Sequence, residues 1–389
     1  MNGCRVAIVA DDLTGALDAA APFASRGAMT RVVVTLEHLP MAMKRWGMEP
    51  PEVVAVNTES RHLSAQSAID RVERAVSLLA SLSPALWFKK IDSTLRGHAV
   101  SESLAASREL ARSVLVAPAV PAQGRTTRRG RVLVHGIPLE ATDFARDARS
   151  RPPLEALDAL FAGKGARPRK ITPGQPLPSG PVVADVETDA DLYRLAQEIW
   201  AARECWLAVG AAGLTGALAR YLYGEEQFSP PCDGMGIWLV VGSRSLQTQR
   251  QVARLRETAS DMPVTEVLRD DEVPLATCNR LLVPGPGDGD SADTVANRLG
   301  EAFVSGLCTL QNRRHLGFLT GGDIAMAVLR RLDEGVMTVI GEWEPGVVLG
   351  HPEGRDEWPL LTKAGGFGDD ELLVRLWQIA RSHTKVSMS

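Results

Sequence analysis

The sequence predicts an α/β protein built as two α/β domains with mostly parallel sheets. Three observations carry this. Short apolar or β-branched runs alternate with helix-period stretches along most of the chain. A tract rich in Pro, Gly, Arg and Lys, from about Arg151 to Pro181, interrupts that alternation. The length of 389 residues suits two or three domains at roughly 150 residues each. We place the division after residue 165, giving domains 1–165 and 166–389.

The elements follow in order. Arg5 to Ala10 reads as a strand that ends in the turn Asp11-Asp12-Leu13-Thr14-Gly15. A helix over Ala16 to Ser25 is stopped by Gly27. Thr30 to Thr35 and Val53 to Val56 read as strands. Ser64 caps a long helix whose apolar positions Ala68, Ile69, Val72, Ala75, Val76 and Leu79 form one buried stripe. A strand over Leu86 to Phe88 runs into the polar segment Lys89 to Gly97. A helix from about Ala99 to Ala111 and a strand from Ser113 to Val116 complete the first series. After the break, strands are expected at Val182–Ala184, Trp206–Val209, Ile237–Val241, Leu281–Val283 and Gly317–Leu319. Helices between them include Ala190–Ala202, Leu246–Arg256 and Asp323–Leu332.

Composition narrows the function classes. Hydrophobic residues make up 45% and charged residues 23%, which is ordinary for a globular protein. The 43 basic and 47 acidic residues give a net charge of −4 and are interspersed. Neither nucleic acid nor an anionic membrane is an expected partner. The five cysteines, Cys4, Cys205, Cys232, Cys278 and Cys308, are scattered without metal-ligand spacing. Free thiols in a reducing cytoplasm are expected. There is no basic segment followed by an apolar core at the N-terminus, and no apolar run of about 18 residues. The seven histidines form no metal signature, so no metal ligand is assigned.

The polar clusters all fall just after strands, where open α/β sheets bind ligands. Asp11 and Asp12 are adjacent carboxylates that repel each other unless a cation, a hydroxyl or an Arg uses them. One can act as a general base towards a substrate hydroxyl; alternatively, Asp12 or Thr14 merely caps the helix. Lys89, Lys90, Asp92, Ser93, Thr94 and Arg96 make a dense loop that either grips an anion or is simply solvated. Arg61 converges on the same edge, and the segment Gln123–Arg128 adds donors. This half looks built for a small, anionic, hydroxylated ligand. In the other half, glycine turns follow the strands at Gly210–Gly213, Gly242–Ser245, Thr320–Asp323 and Lys363–Asp369. Glycine lets backbone amides approach phosphate, and a following helix adds its positive dipole end. Each turn alone is also explained by geometry; together they favour a nucleotide site. Gly285–Asp290 is acidic and reads as a surface loop. No P-loop, no Gly-x-Gly-x-x-Gly after the first strand and no Gly-x-Ser-x-Gly elbow occurs.

Asp11–Ala16, Lys90–Gly97 and Lys363–Gly368 together resemble the four-carbon acid sugar kinase family. The resemblance covers nearly the whole chain, through Asn57–Arg61, Pro121–Thr127, Gly136–Leu139, Gly242–Ser245, Thr320–Asp323 and Gly341–Gly346. It departs at His98, Ala211, Arg244 and Leu246, and between Asp270 and Leu282.

The resemblance implies an N-terminal sugar-acid domain, a C-terminal nucleotide domain and an active-site cleft between them. It implies a kinase using ATP and Mg²⁺ on the terminal hydroxyl of threonate, erythronate or 3-oxo-tetronate. Asp12, or else Asp11, would accept the hydroxyl proton. Arg61, Lys90, Asp92, Ser93, Thr94 and Arg96 would face the acid. Ser243, Thr320, Gly321, Gly322, Asp323, Gly365 and Gly366 would contact ATP. A homodimer is compatible with this expectation. Two alternatives stay open: a sensor that binds the same ligands without phosphoryl transfer, and a nicotinamide-dependent hydroxy-acid dehydrogenase.

Overall fold

Runs such as Val6–Ala10, Val53–Asn57 and Leu86–Lys90 are buried along their whole length. Such runs suit central strands of a parallel sheet covered by helices on both faces. The computed structural model describes residues 3–146, 152–153, 155–230, 236–243, 245–267, 279–285, 290–309 and 315–384. Arg244, Asp270, Cys232, Cys278 and the stretch 286–289 lie outside the described residues. Cys4 and Cys205 are free thiols, the first buried and the second exposed. No helix among the described residues is long and apolar enough to cross a membrane.

The chain divides into two compact units, Met1–Gln227 and Phe228–Ser389. The first begins β1 (Val6–Ala10), α1 (Leu13–Ala24), β2 (Thr30–Val33), α2 (Leu39–Trp46), β3 (Val53–Asn57), α3 (Ala65–Ala80), β4 (Leu86–Lys90), α4 (Ala99–Leu110) and β5 (Ser113–Ala117). It continues through β6 (Arg125–Arg128), β7 (Arg131–Val134), β8 (Ile137–Pro138), α5 (Leu157–Ala162), β9 (Arg169–Ile171), β10 (Val182–Ala184), α6 (Asp189–Ala201), β11 (Trp206–Gly210) and α7 (Ala212–Tyr223). The order β2-β3-β1-β4-β11-β5-β10-β9 is parallel throughout. Strands β6, β7 and β8 form a small antiparallel sheet.

The division expected after residue 165 therefore falls after Gln227 instead. The Pro- and Gly-rich tract is no linker: it holds α5 and β9, and β9 pairs in parallel with β10. Strand β11 then inserts between β4 and β5. The β11 pairings join residues far apart in sequence, so local composition does not report them.

The second unit runs β12 (Gly236–Val241), α8 (Leu246–Thr258), β13 (Val264–Val267), β14 (Arg280–Pro284), α9 (Ala292–Thr309), β15 (His315–Thr320), α10 (Gly322–Arg331), β16 (Val336–Glu344), β17 (Val347–Pro352), β18 (Leu360–Lys363) and α11 (Leu372–Thr384). Its order is β13-β14-β12-β15-β18-β17-β16. Pairing is parallel from β13 to β18, and antiparallel where β17 meets β18 and β16. Its core joins Ile237, Leu239 and Val241 of β12 to Leu373, Leu376 and Trp377 of α11.

Each unit has neighbouring strands whose connections lead away from each other, one to either side of the sheet. In the first unit they are β1 and β4; in the second they are β12 and β15. Ligands bind outside the carboxyl ends of strands at such switch points.

Candidate active site

The Asp11-Asp12 turn leaves the carboxyl end of β1 and starts α1. Asp12 has extended backbone and caps the helix, its Oδ1 accepting from the Gly15 amide at 2.9 Å. The Thr14 hydroxyl donates to Asp12 Oδ2 at 2.7 Å. The loop after β3 is stitched alongside, because the Ser60 and Arg61 amides donate to the Asp11 carbonyl at 3.0 and 3.3 Å. That brings the Arg61 guanidinium onto both carboxylates. Nε and Nη2 donate to Asp11 at 2.8 and 2.9 Å, and Nη1 and Nη2 donate to Asp12, each at 2.9 Å.

Burial by itself would raise the Asp11 carboxyl. Arg61, with Lys89 and Lys90, outweighs burial and holds it below the usual carboxylate range. The repulsion expected between Asp11 and Asp12 is thus answered by Arg61. Four of its five N–H groups donate to these two residues. Gly97 closes the arrangement at φ +79°, where a side chain is strained, and a Cβ there would lie 2.9 Å from Asp11 Oδ2.

Successive side chains of β4 point to opposite faces. Lys89 goes to the α4 face and forms a buried ion pair with Glu102 at 2.8 Å. The Ser60 hydroxyl donates to the other Glu102 oxygen at 2.8 Å, so this network pins a loop from beneath. Lys90 goes to the α1 face, where its Nζ lies 3.8 Å from Asp18 Oδ2. Asp92 follows and is itself a receptor. It accepts from Arg96 Nη2 at 2.8 Å and Nε at 3.1 Å, from the Thr94 amide at 3.0 Å, and from the Thr94 hydroxyl. Burial is again outweighed, chiefly by Arg96, and Asp92 sits well below the usual carboxylate range. Ser93 accepts from Arg125 of β6. Burial pushes the Arg125 guanidinium down, against the pull of Asp92 and Asp18.

Asp11, Asp12, Arg61, Lys90, Asp92, Ser93, Thr94 and Arg96 thus gather at the switch point of the first unit. Two further residues belong with them. Arg125 was legible only as one donor within 123–128. Asp18 carried one signal: it lies four residues after Thr14, one turn further along the same helix face.

In the second unit, Ser243, Gly321 and Gly365 meet. A Cβ on Gly365 would lie 2.2 Å from Ser243 Oγ, and one on Gly321 would lie 3.7 Å from Ser243 Cβ. Gly321 has φ +104°, and its amide donates to the Lys363 carbonyl at 2.8 Å. The Gly365 carbonyl accepts from Ser245 Oγ, Thr248 Oγ1 and Lys363 Nζ at 2.7, 2.9 and 3.0 Å. Burial pushes Lys363 down to about 7. Gly322 opens α10, Asp323 is exposed in its first turn, and nothing lies within 4 Å of a Cβ on Gly366. Thr320 is fully buried beneath the turn.

The comparisons agree with this division of labour. Residues 6–171 match a family model described as a sugar-binding N-terminal domain, and residues 286–373 match one described as a nucleotide-binding C-terminal domain. A D-threonate kinase from Bordetella bronchiseptica is 33% identical over 98% of this chain and 98% of its own. A crystal structure from Bordetella bronchiseptica, described as a domain of unknown function with bound citrate and as a domain-swapped dimer, is 30% identical at a TM-score of 0.52. It covers 98% of this chain and 99% of its own. A Haemophilus influenzae protein of the same domain class shares the fold at a TM-score of 0.72 and 19% identity, over 97% and 99% of the two chains. The chain belongs to the four-carbon acid sugar kinase family.

Proposed function

We propose that this carbohydrate kinase transfers the γ-phosphoryl group of ATP to the terminal hydroxyl of a four-carbon sugar acid such as threonate, erythronate or 3-oxo-tetronate. The observation that carries this is the convergence of Lys90, Arg96 and Arg125 with ordered carboxylates and hydroxyls at the β1/β4 switch point. Cations fixed by their own carboxylates are preorganised to receive a small anion bearing hydroxyls. The kinase named for D-threonate and the related structure with citrate, an acid of similar chemistry, support the same class.

In this proposal Lys90, Arg96 and Arg125 face the acid, with Ser93 and Thr94 adding hydroxyls. Arg61 holds Asp11 and Asp12 in place rather than gripping the substrate. The backbone at Gly321, Gly322, Gly365 and Gly366, with Ser243, receives the phosphates. Glycine is needed at 365 because of the close approach of Ser243.

Magnesium enters as the Mg·ATP complex. Among the described residues no group of three or more His, Cys, Asp or Glu is arranged to hold an ion. A phosphate-borne Mg²⁺ needs only one or two carboxylates, and Asp323 stands beside the phosphate turn for that task. A homodimer belongs to the same proposal and is tested by light scattering in solution.

Titration calorimetry with D-threonate, D-erythronate and the matching neutral tetroses tests the substrate class. Saturable binding of an acid, with none for its neutral counterpart, is expected. Equal affinity for both would remove the basis of the proposal.

A further inference from the structure

We propose that Asp18 is the catalytic residue that accepts the proton of the substrate hydroxyl, with Lys90 orienting it. This deepens the kinase assignment above and rests on it. The other carboxylates of the cluster already have their oxygens engaged. Asp12 Oδ1 accepts from the Gly15 amide and Arg61, and its Oδ2 accepts from the Thr14 hydroxyl and Arg61. Both Asp11 oxygens accept from Arg61, and both Asp92 oxygens accept from Arg96. Donors and cations that stabilise a carboxylate lower its basicity and occupy the lone pairs a proton needs.

Asp18 is built differently. Its Oδ1 is buried and has no hydrogen-bond partner among the described residues. Its Oδ2 lies 3.8 Å from Lys90 Nζ, close enough for attraction but too long for a hydrogen bond. A buried acceptor left without a donor is costly, and native structures retain such groups where a ligand or a chemical task uses them. A substrate hydroxyl is the donor this oxygen lacks.

The surroundings suit the task. The charged groups facing Asp18 are Lys90 of β4, Arg125 of β6, Asp12 at the start of its own helix, and Asp92 after β4. Burial raises the Asp18 carboxyl, and the two acidic neighbours add to that, while Lys90 and Arg125 oppose it. The cations are those proposed to hold the acid, so the same ligand would reach both them and Oδ1.

The step balances as follows. The hydroxyl oxygen of the acid forms a bond to the γ-phosphorus of ATP, and its proton moves to Asp18 Oδ1. The bond from the γ-phosphorus to the β–γ bridging oxygen breaks, and its electron pair leaves with ADP. Asp18 then releases the proton to water.

The test is Asp18→Asn against wild type, read by kcat, the KM for ATP, the pH profile of kcat and thermal stability. Asparagine keeps the size but cannot take the proton. The expected result is a loss of about 10²–10⁴-fold in kcat, an ATP KM within about twofold of wild type, and a melting temperature equal to or above wild type. The acid limb of the wild-type kcat profile should be absent from the residual activity. Wild-type kcat in the variant overturns the inference. A kcat loss accompanied by a lower melting temperature and an unchanged acid limb also overturns it, because that pattern marks a structural carboxylate. The wild-type arm reports separately on the kinase assignment: no turnover of any acid there defeats that assignment and this inference with it.

Discussion

Arg61 meets Asp11 edge-on, with Nε 2.8 Å from Oδ2 and Nη2 2.9 Å from Oδ1. The same guanidinium reaches Asp12 from its other edge, so one largely buried cation bridges both carboxylates. Removing it strands two carboxylates in a site where Asp11 is only 4% exposed. Arg61→Ala should destabilise the protein by about 3–5 kcal/mol, and Arg61→Lys should recover little because an ammonium cannot bridge four oxygens. The pH dependence has a definite sign. Asp11 is held below its unfolded value, so its contribution is present above about pH 4 and is lost as pH falls through the folded value. Urea denaturation should therefore show the gap between wild type and Arg61→Ala closing below about pH 4.

Lys89 and Lys90 are sequence neighbours with separate tasks. Lys89→Met breaks a fully buried ion pair with Glu102 and should cost about 3–5 kcal/mol of stability. The double change Lys89→Met with Glu102→Leu should restore much of that, since neither charge is then stranded. Lys90→Met should instead act on the acid, raising its KM about 10–100-fold, the equivalent of one charge-assisted hydrogen bond. Weakened acid binding by a folded Lys89→Met, with stability intact, would reverse the two roles.

Lys363 provides a test in the second unit. Burial lowers it to about 7, against about 10.4 in an unfolded chain. Between those values the unfolded state binds the extra proton, so this group makes stability rise with pH. Wild type should gain stability relative to Lys363→Met between about pH 7 and pH 10 in chemical denaturation. Parallel curves for the two proteins would show that Lys363 titrates normally.

Gly365→Ala places a methyl 2.2 Å from Ser243 Oγ. It should raise the KM for ATP about tenfold or more, about 1.4 kcal/mol, and leave the KM for the acid within about twofold. Equal damage to both constants would mean that this turn does not serve the nucleotide.

Much of the fold was legible because its signals are local. Ser64 caps α3 as expected, and Ala68, Val72, Ala75, Val76 and Leu79 form its buried stripe. Buried apolar runs marked the central strands. The boundary at Gln227 was not legible, since β11 belongs to the first unit through its pairing with the distant strands β4 and β5. The arginine-rich β6 gave no strand pattern, because its alternation is polar on both faces. At the candidate site, residue identities were legible from motifs, whereas their uses were not. Arg61 looks like a free anion receptor until its pairing with residues about fifty positions earlier is seen. Asp18 sits in an alanine-rich helix, where only the fold shows that its carboxylate lies beside Lys90 with one oxygen buried.

The central claim is a kinase selective for a four-carbon acid, and ADP release tests it most directly. The assay sets Mg·ATP and the purified protein against D- and L-threonate, D- and L-erythronate, a 3-oxo-tetronate and the corresponding neutral tetroses. The account predicts turnover of at least one acid, with kcat/KM for its neutral counterpart lower by about 10⁴ or more, because a neutral ligand forgoes the charge-assisted bonds that Lys90, Arg96 and Arg125 make to a carboxylate. Equal turnover of acid and neutral sugar, or no turnover of any acid by protein that binds ATP, would contradict it.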